Sequence, residues 1–242
     1  MHRPATIVSG LALALCSLLT CQASANAEGR PILAELFTSQ SCSSCPPADA
    51  VLGELAQRPE ILALSFHVDY WDNLGWKDLY SLPQATARQR RYAALLGSQS
   101  YTPQLVIDGK AETVGSNRSS VDALLRQVQP VGAPAAIREL DRRFEIRVDA
   151  ATGSRPAVTA AILLVTFDPS HKTPVRGGEN GGRYLQTYND VRSLRSIGRW
   201  DGQAVTLDVP RDSADLGQRA ALIVQSEDGA IWAVAATSAD AT

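Results

Sequence analysis

The stretch Ser41-Cys42-Ser43-Ser44-Cys45-Pro46-Pro47 limits the possible folds more than any other part of the chain, because it sets two thiols three residues apart at a strand-to-helix junction. The apolar run Ile32 to Phe37 predicts a strand before it, and Ala48 to Gln57 predicts a helix after it. A sulfur at a helix N-terminus meets unpaired backbone N–H groups and the positive end of the macrodipole, which favour a thiolate. Cys42 is therefore expected to ionise readily, and Cys45, one turn deeper, to close onto it.

The N-terminal residues carry an export signal pattern: Arg3, an apolar run from Ile7 to Leu19, and an A-x-A cleavage site at Ala25-Asn26-Ala27. Residues 1–27 are expected to leave as a signal peptide, so the mature chain would start at Glu28 in the periplasm or outside the cell. Lipidation of Cys21 is the rival reading, but Thr20 is a poor residue to precede a lipidated cysteine. No later segment reaches the roughly 18 apolar residues of a membrane span, so no stable membrane insertion is expected. Cleavage removes Cys16 and Cys21 and leaves Cys42 and Cys45 as one pair. A loop that short staples nothing distant; the pair either does chemistry or locks its own turn. The formal net charge of -2 offers no basic face, which argues against a nucleic-acid partner.

Two textures divide the mature chain. Over residues 28–130, strands and helices alternate: Ile32 to Phe37, Pro47 to Gln57, Ile61 to Val68, Pro83 to Leu96, Gln104 to Ile107 turning through Asp108-Gly109 to Thr113-Val114, then Val121 to Val128. Over residues 131–242 strands dominate: Phe144 to Val148, Val158 to Phe167, Val205 to Val209, and Ala220 to Gln225 paired with Ile231 to Ala235 across Asp228-Gly229. The expectation is an α/β domain followed by a mostly-β, sandwich-like accessory domain that packs against it. Between Phe167 and Val205 lies Arg176-Gly177-Gly178-Glu179-Asn180-Gly181-Gly182-Arg183, which lacks the Lys-Ser/Thr ending of a phosphate loop. It is either a plain turn or a segment that carries Glu179, Asn180 and Arg183 to the cysteine face.

The first texture, with its strand, Cys-x-x-Cys, helix, second strand, Thr102-Pro103 and closing hairpin, resembles the thioredoxin fold over about a hundred residues. That resemblance implies a thioredoxin-like domain with Cys42 as the attacking and Cys45 as the resolving cysteine. It also implies a cis bond at Pro103 that frees the backbone of Thr102 to pair with an extended substrate. Glu35, one residue upstream of the acid that thioredoxins bury, is the implied proton acceptor for Cys45; its alternative is a structural carboxylate. His67, Asp69 and Trp71 follow the second strand and are possible accessory residues. His67 either assists the thiolate or is a satisfied core histidine, and the aromatic side chains build a wall.

The motifs Glu35 to Gln40, Cys42 to Asp49, Phe66 to Asp72, Tyr101 to Gln104, Arg176 to Arg183 and Gly198 to Gly202 together resemble a secreted bacterial thioredoxin-fold family known as domain of unknown function 1223. The reading is an exported thiol–disulfide oxidoreductase without a cofactor, acting on protein thiol or disulfide substrates and reset by an unidentified redox partner. Two alternatives stay open: a Cu(I) carrier using Cys42, Cys45 and His67, since soft sulfur suits that ion, and a non-catalytic interaction module.

Overall fold

In a computed structural model the chain is described over residues 30–151 and 159–238, and the expected signal peptide, residues 1–27, lies outside them. Ile32–Thr38 (β1) and Ile61–His67 (β2) pair in parallel, with Leu33 opposite Leu62 and Thr38 opposite His67. Helix Pro46–Leu55 (α1) crosses between them, and its opening proline occupies a position whose N–H would have no helical partner. Helix Pro83–Leu96 (α2) ends on Gly97, whose φ of 63° is the left-handed stop that glycine makes without strain. Gln104–Ile107 (β3) runs antiparallel to β1 and turns through Asp108 and Gly109, both at positive φ, into Ala111–Val114 (β4). Helix Arg118–Gln127 (α3) is capped by Asn117, whose side chain accepts the Ser120 N–H.

The second half contributes Ala135–Leu140 (β5), Arg143–Val148 (β6), Ala160–Pro174 (β7), Tyr184–Trp200 (β8), Val205–Pro210 (β9), Arg219–Gln225 (β10) and Ile231–Ala236 (β11). One eight-stranded mixed sheet runs β11-β10-β7-β8-β2-β1-β3-β4, and a three-stranded sheet runs β5-β6-β9.

Apart from β5 and β8, which the sequence reading misses, the elements fall close to where the sequence places them, but their assembly corrects the expected fold class. The chain does not form a thioredoxin-like α/β domain followed by a separate β domain. It is mostly β, with eleven strands and three α-helices among the described residues, and β7, β8, β10 and β11 extend the sheet of β1 to β4. The join is a parallel bridge from Ser65 of β2 to Asp190 of β8. One apolar cluster spans it, taking Leu33, Phe37, Leu64 and Phe66 from the first half and Val165, Phe167, Val191 and Ile223 from the second. β2 is fully buried, so its free edge and both faces need cover, and the second half supplies the missing neighbour. On the opposite face α1 and α3 pack Ala48, Leu52, Val121 and Leu125 against Ala34, Leu36 and Leu105. The small sheet covers the far end, with Phe144 and Ile146 against Ile162, Leu164 and Trp200.

Candidate functional site

β1 ends at Thr38, and the cysteine loop springs from that end of the sheet. Cys42 and Cys45 are joined as a disulfide with their Cα atoms 5.4 Å apart. The Cys45 N–H donates to the Cys42 carbonyl at 3.2 Å, and the Cys45 carbonyl accepts from Ala48 and Asp49 at 2.8 and 3.1 Å, so the pair sits in the turn that opens α1. The Ser44 hydroxyl lies 3.3 Å from the Cys42 sulfur. Thr102–Pro103 is cis, as the sequence predicts. Phe37 faces Gln104 across the β1–β3 ladder, which puts Pro103 beside the end of β1 where the cysteine loop begins. Trp71 donates its indole N–H to the Thr102 hydroxyl at 2.9 Å, and Asp69 is taken up by α2, accepting the Thr86 hydroxyl at 2.5 Å.

Glu35 is not placed to serve Cys45. Strand alternation turns Leu33, Glu35 and Phe37 to the face that packs α2, whereas Ala34, Leu36 and Thr38 face α1. There Glu35 is fully buried, gripped by two donors of Arg88 and by the Tyr92 hydroxyl. Burial would lower the basicity of Arg88, but Glu35 raises it further, so the guanidinium is locked in its charged form. This is the structural carboxylate of the two readings.

Beneath α1 lies a different set of ionisable groups. Asp49, fully covered on α1, accepts the Thr38 hydroxyl at 2.9 Å. Burial pushes its carboxyl up to about 7, against the lowering influence of His67 and Thr38. It stands four residues after Cys45 on the same helix face, the spacing at which helical side chains are neighbours. His67 is buried between Asp78, 2.7 Å from Nδ1, and Asp190, 3.1 Å from Nε2. Burial alone would strip its proton, yet the two carboxylates together raise its pKa well above the usual histidine range. Asp78 in turn is held below its ordinary range, because His67 outweighs the cost of burial. With a carboxylate at each ring nitrogen, His67 has no lone pair for Cu(I), and it is the satisfied core histidine of the two readings. Among the described residues no group of three or more His, Cys, Asp and Glu side chains is arranged to hold a metal ion.

The glycine-rich block is the tip of the β7–β8 hairpin, residues 175–183, and it lies on the cysteine loop. Glu179 accepts the Ser43 N–H at 2.8 Å, and the Asn180 amide donates to the carbonyls of Gln40 and Cys42 at 3.0 and 2.8 Å. From the other side Trp76 donates to the Gln40 side chain at 2.9 Å, and its carbonyl accepts the Ser41 hydroxyl. Cys42 is 1% exposed and Cys45 0%, although Ser43 and Ser44 between them are exposed.

The site therefore gathers Cys42, Cys45, Thr102 and Pro103 as the motifs imply, adds Trp71 at its rim, and leaves Glu35 and Asp69 outside. Asp49 is the group that sequence reasoning misses: in one dimension it reads as an acidic residue in a helix's first turn. Only its pairing with Thr38, at the α1-facing position next to His67 in the register, marks it as buried.

No curated protein is matched by the chain. Its structure is similar to the crystal structure of protein AGR_C_4864 from Agrobacterium tumefaciens, at 29% identity and a TM-score of 0.74, over 89% of this chain and 97% of that one. The model of the family described as protein of unknown function (DUF1223) matches residues 33–225. That span holds the cysteine loop, the cis proline and the glycine-rich tip, and on it the chain belongs to the DUF1223 family.

Proposed function

We propose that the protein is an exported thiol–disulfide oxidoreductase that exchanges a disulfide with protein partners through Cys42 and Cys45. The observation that carries this reading is the disulfide itself. It spans two residues at the opening of a helix, with the Ser44 hydroxyl on its first sulfur and Asp49, titrating near neutral, one turn beyond its second. Export rests on the N-terminal signal pattern alone.

A partner thiolate attacks the Cys42 sulfur, a bond forms between the two, and the Cys42–Cys45 bond breaks with its electron pair left on Cys45. Asp49, protonated below about pH 7, supplies the proton that Cys45 takes up. The partner's second thiolate then attacks its own sulfur in the mixed disulfide, and the pair leaves reduced while the partner leaves oxidised. Run in reverse, the same steps reduce a partner disulfide, with Cys42 attacking, Cys45 resolving and Asp49 accepting the proton.

Trapping tests the proposal. With Cys45 replaced in the exported full chain (Cys45→Ser), Cys42 cannot be released, so mixed disulfides with other proteins are expected on non-reducing gels. A folded, exported Cys45→Ser chain that gathers no adduct would sink the reading.

A further inference from the structure

Cys42 is covered in a way that its own loop does not account for. The two residues that follow it are exposed, yet Cys42 is 1% exposed, and its loop is held from two sides: by Trp76 on Gln40 and Ser41, and by the distant hairpin tip, with Glu179 on the Ser43 N–H and Asn180 on the Cys42 carbonyl. We propose that the hairpin tip, residues 175–183, is a latched lid, and that a thiol partner reaches Cys42 only after the tip lifts. This rests on the exchange reading and names how that site is regulated.

The latch is built from few parts. Asn180 is wholly buried, and both protons of its amide are spent on carbonyls of the cysteine loop, while its own carbonyl accepts from Arg183 at 2.8 Å. Glu179 is exposed and holds one backbone N–H. Seating depends on two glycines. A Cβ on Gly177 would stand 2.1 Å from the Gly75 carbonyl oxygen, and Gly178 takes a φ of 67° with its Cβ position 2.9 Å from the Ser41 hydroxyl. Backbone lies against backbone here, with no room for a side chain.

The tip is also closed on itself. The Val175 N–H donates to the Arg183 carbonyl at 2.9 Å, Gly182 donates to the Val175 carbonyl, and the Arg183 N–H donates to the Asn180 carbonyl. These bonds survive if the contacts to the cysteine loop break, so the tip can lift as a unit without melting β7 or β8. The cost of lifting is a handful of polar contacts that water can replace, with Val175 at the base of the tip as its one buried apolar side chain. Charge adds a redox bias. A thiolate on Cys42 brings a second negative charge beside the peptide that Glu179 holds, which weakens the latch once the pair is reduced.

Alkylation of Cys42 by iodoacetamide in the full-length Cys45→Ser chain, followed against pH, separates access from ionisation. The plateau at high pH reads access, and the midpoint reads the charge around the sulfur. Asn180→Ala is expected to raise the plateau roughly tenfold, as loss of a buried hydrogen-bonded anchor does, and Gly177→Ala to raise it in the same direction by unseating the tip. Glu179→Gln should shift the midpoint down as well. Plateaus of both Asn180→Ala and Gly177→Ala that stay within about twofold of the parent, in chains with native circular dichroism, would overturn the lid.

If a variant fails to fold, amide exchange in the unsubstituted chain decides. The Ser43 N–H should exchange through a local opening, faster than the N–H groups inside α1; exchange of both only on global unfolding overturns the proposal. Neither readout needs a protein partner. A responsive lid with no trapped adducts would therefore sink the exchange reading alone, and an unresponsive lid with adducts would sink the lid alone.

Discussion

On the exchange reading, Asp49 ties the chemistry of the site to the stability of the protein. Its carboxyl titrates at 3.8 in ordinary surroundings and near 7 in the fold, so the folded state binds this proton more tightly than the unfolded chain does. The contribution is complete below about 3.8 and is lost as pH rises through about 7. His67, whose pKa is also raised, acts with the same sign: its stabilisation is whole below 6.5 and fades as pH rises through the elevated folded value. Asp78 runs the other way, stabilising above 3.8 and failing as pH falls through its depressed value. Asp49→Asn keeps the oxygen that Thr38 uses and cannot ionise. Urea unfolding at pH 4.5 and at pH 8 should therefore show a smaller loss of stability in the variant, by up to about 3 kcal/mol at ~1.4 kcal/mol per unit. Parallel profiles for the two proteins would show that Asp49 is not the titrating group. Glu35 teaches the complementary lesson: a glutamate on an apolar strand announces burial, but which face it points to, and that Arg88 and Tyr92 wait there, depends on the side of the sheet that α2 packs.

Two hairpin turns meet where the halves of the chain come together. Asp108-Gly109 and Asp228-Gly229 each read in the sequence as tight turns, and each is one, with glycine φ values of 68° and 90°. Their contact is not legible there, since it needs the edge order of the finished fold. A Cβ on Gly109 would lie 2.3 Å from the Gly229 carbonyl oxygen, in a backbone conformation that L residues avoid. Gly109→Ala is therefore expected to cost about 1 to 3 kcal/mol, read from the midpoint of a denaturant curve; an unchanged midpoint would mean that the turns yield to each other freely. β8 is the element that pattern reading passes over. Its seventeen residues, Tyr184–Trp200, hold three arginines along with Asp190, Asn189, Thr187 and two serines, and no apolar run. Much of what it buries is polar and satisfied by the first half: Asp190 on His67, and the Asn189 amide on the Ala63 carbonyl at 2.7 Å. A strand whose inward side is hydrogen-bonded rather than greasy leaves no hydrophobic alternation to find.

At the scale of the whole molecule, the eight-stranded sheet makes the two halves one folding unit. Residues 28–130 expressed alone would leave β2 without its β8 neighbour and the Leu64 and Phe66 face without Val165, Phe167 and Ile223. We expect that fragment to lack a cooperative thermal transition while the full mature chain melts in one step, by far- and near-ultraviolet circular dichroism. Two separate transitions in the full chain, or a native-like fragment, would show that the shared cluster does not couple them. The change of texture near residue 130 is real, for the small sheet starts at Ala135, but it marks a change of layer and not the end of the first core. What the amino-acid order determined by itself was local: the helices, most of the strands, the glycine turns and the cysteine pair at the start of α1, because each depends on neighbours a few residues away, whereas the cis bond at Pro103 was legible only through the family resemblance. What only the tertiary structure decided was which distant groups share a space: β8 beside β2, His67 between two aspartates, Asp49 buried against Thr38 and Glu35 against Arg88, and a hairpin tip bonded to the cysteine loop. Those depend on which surfaces find cover and which buried polar groups find partners, and contacts spanning more than a hundred residues leave no periodic trace along the chain.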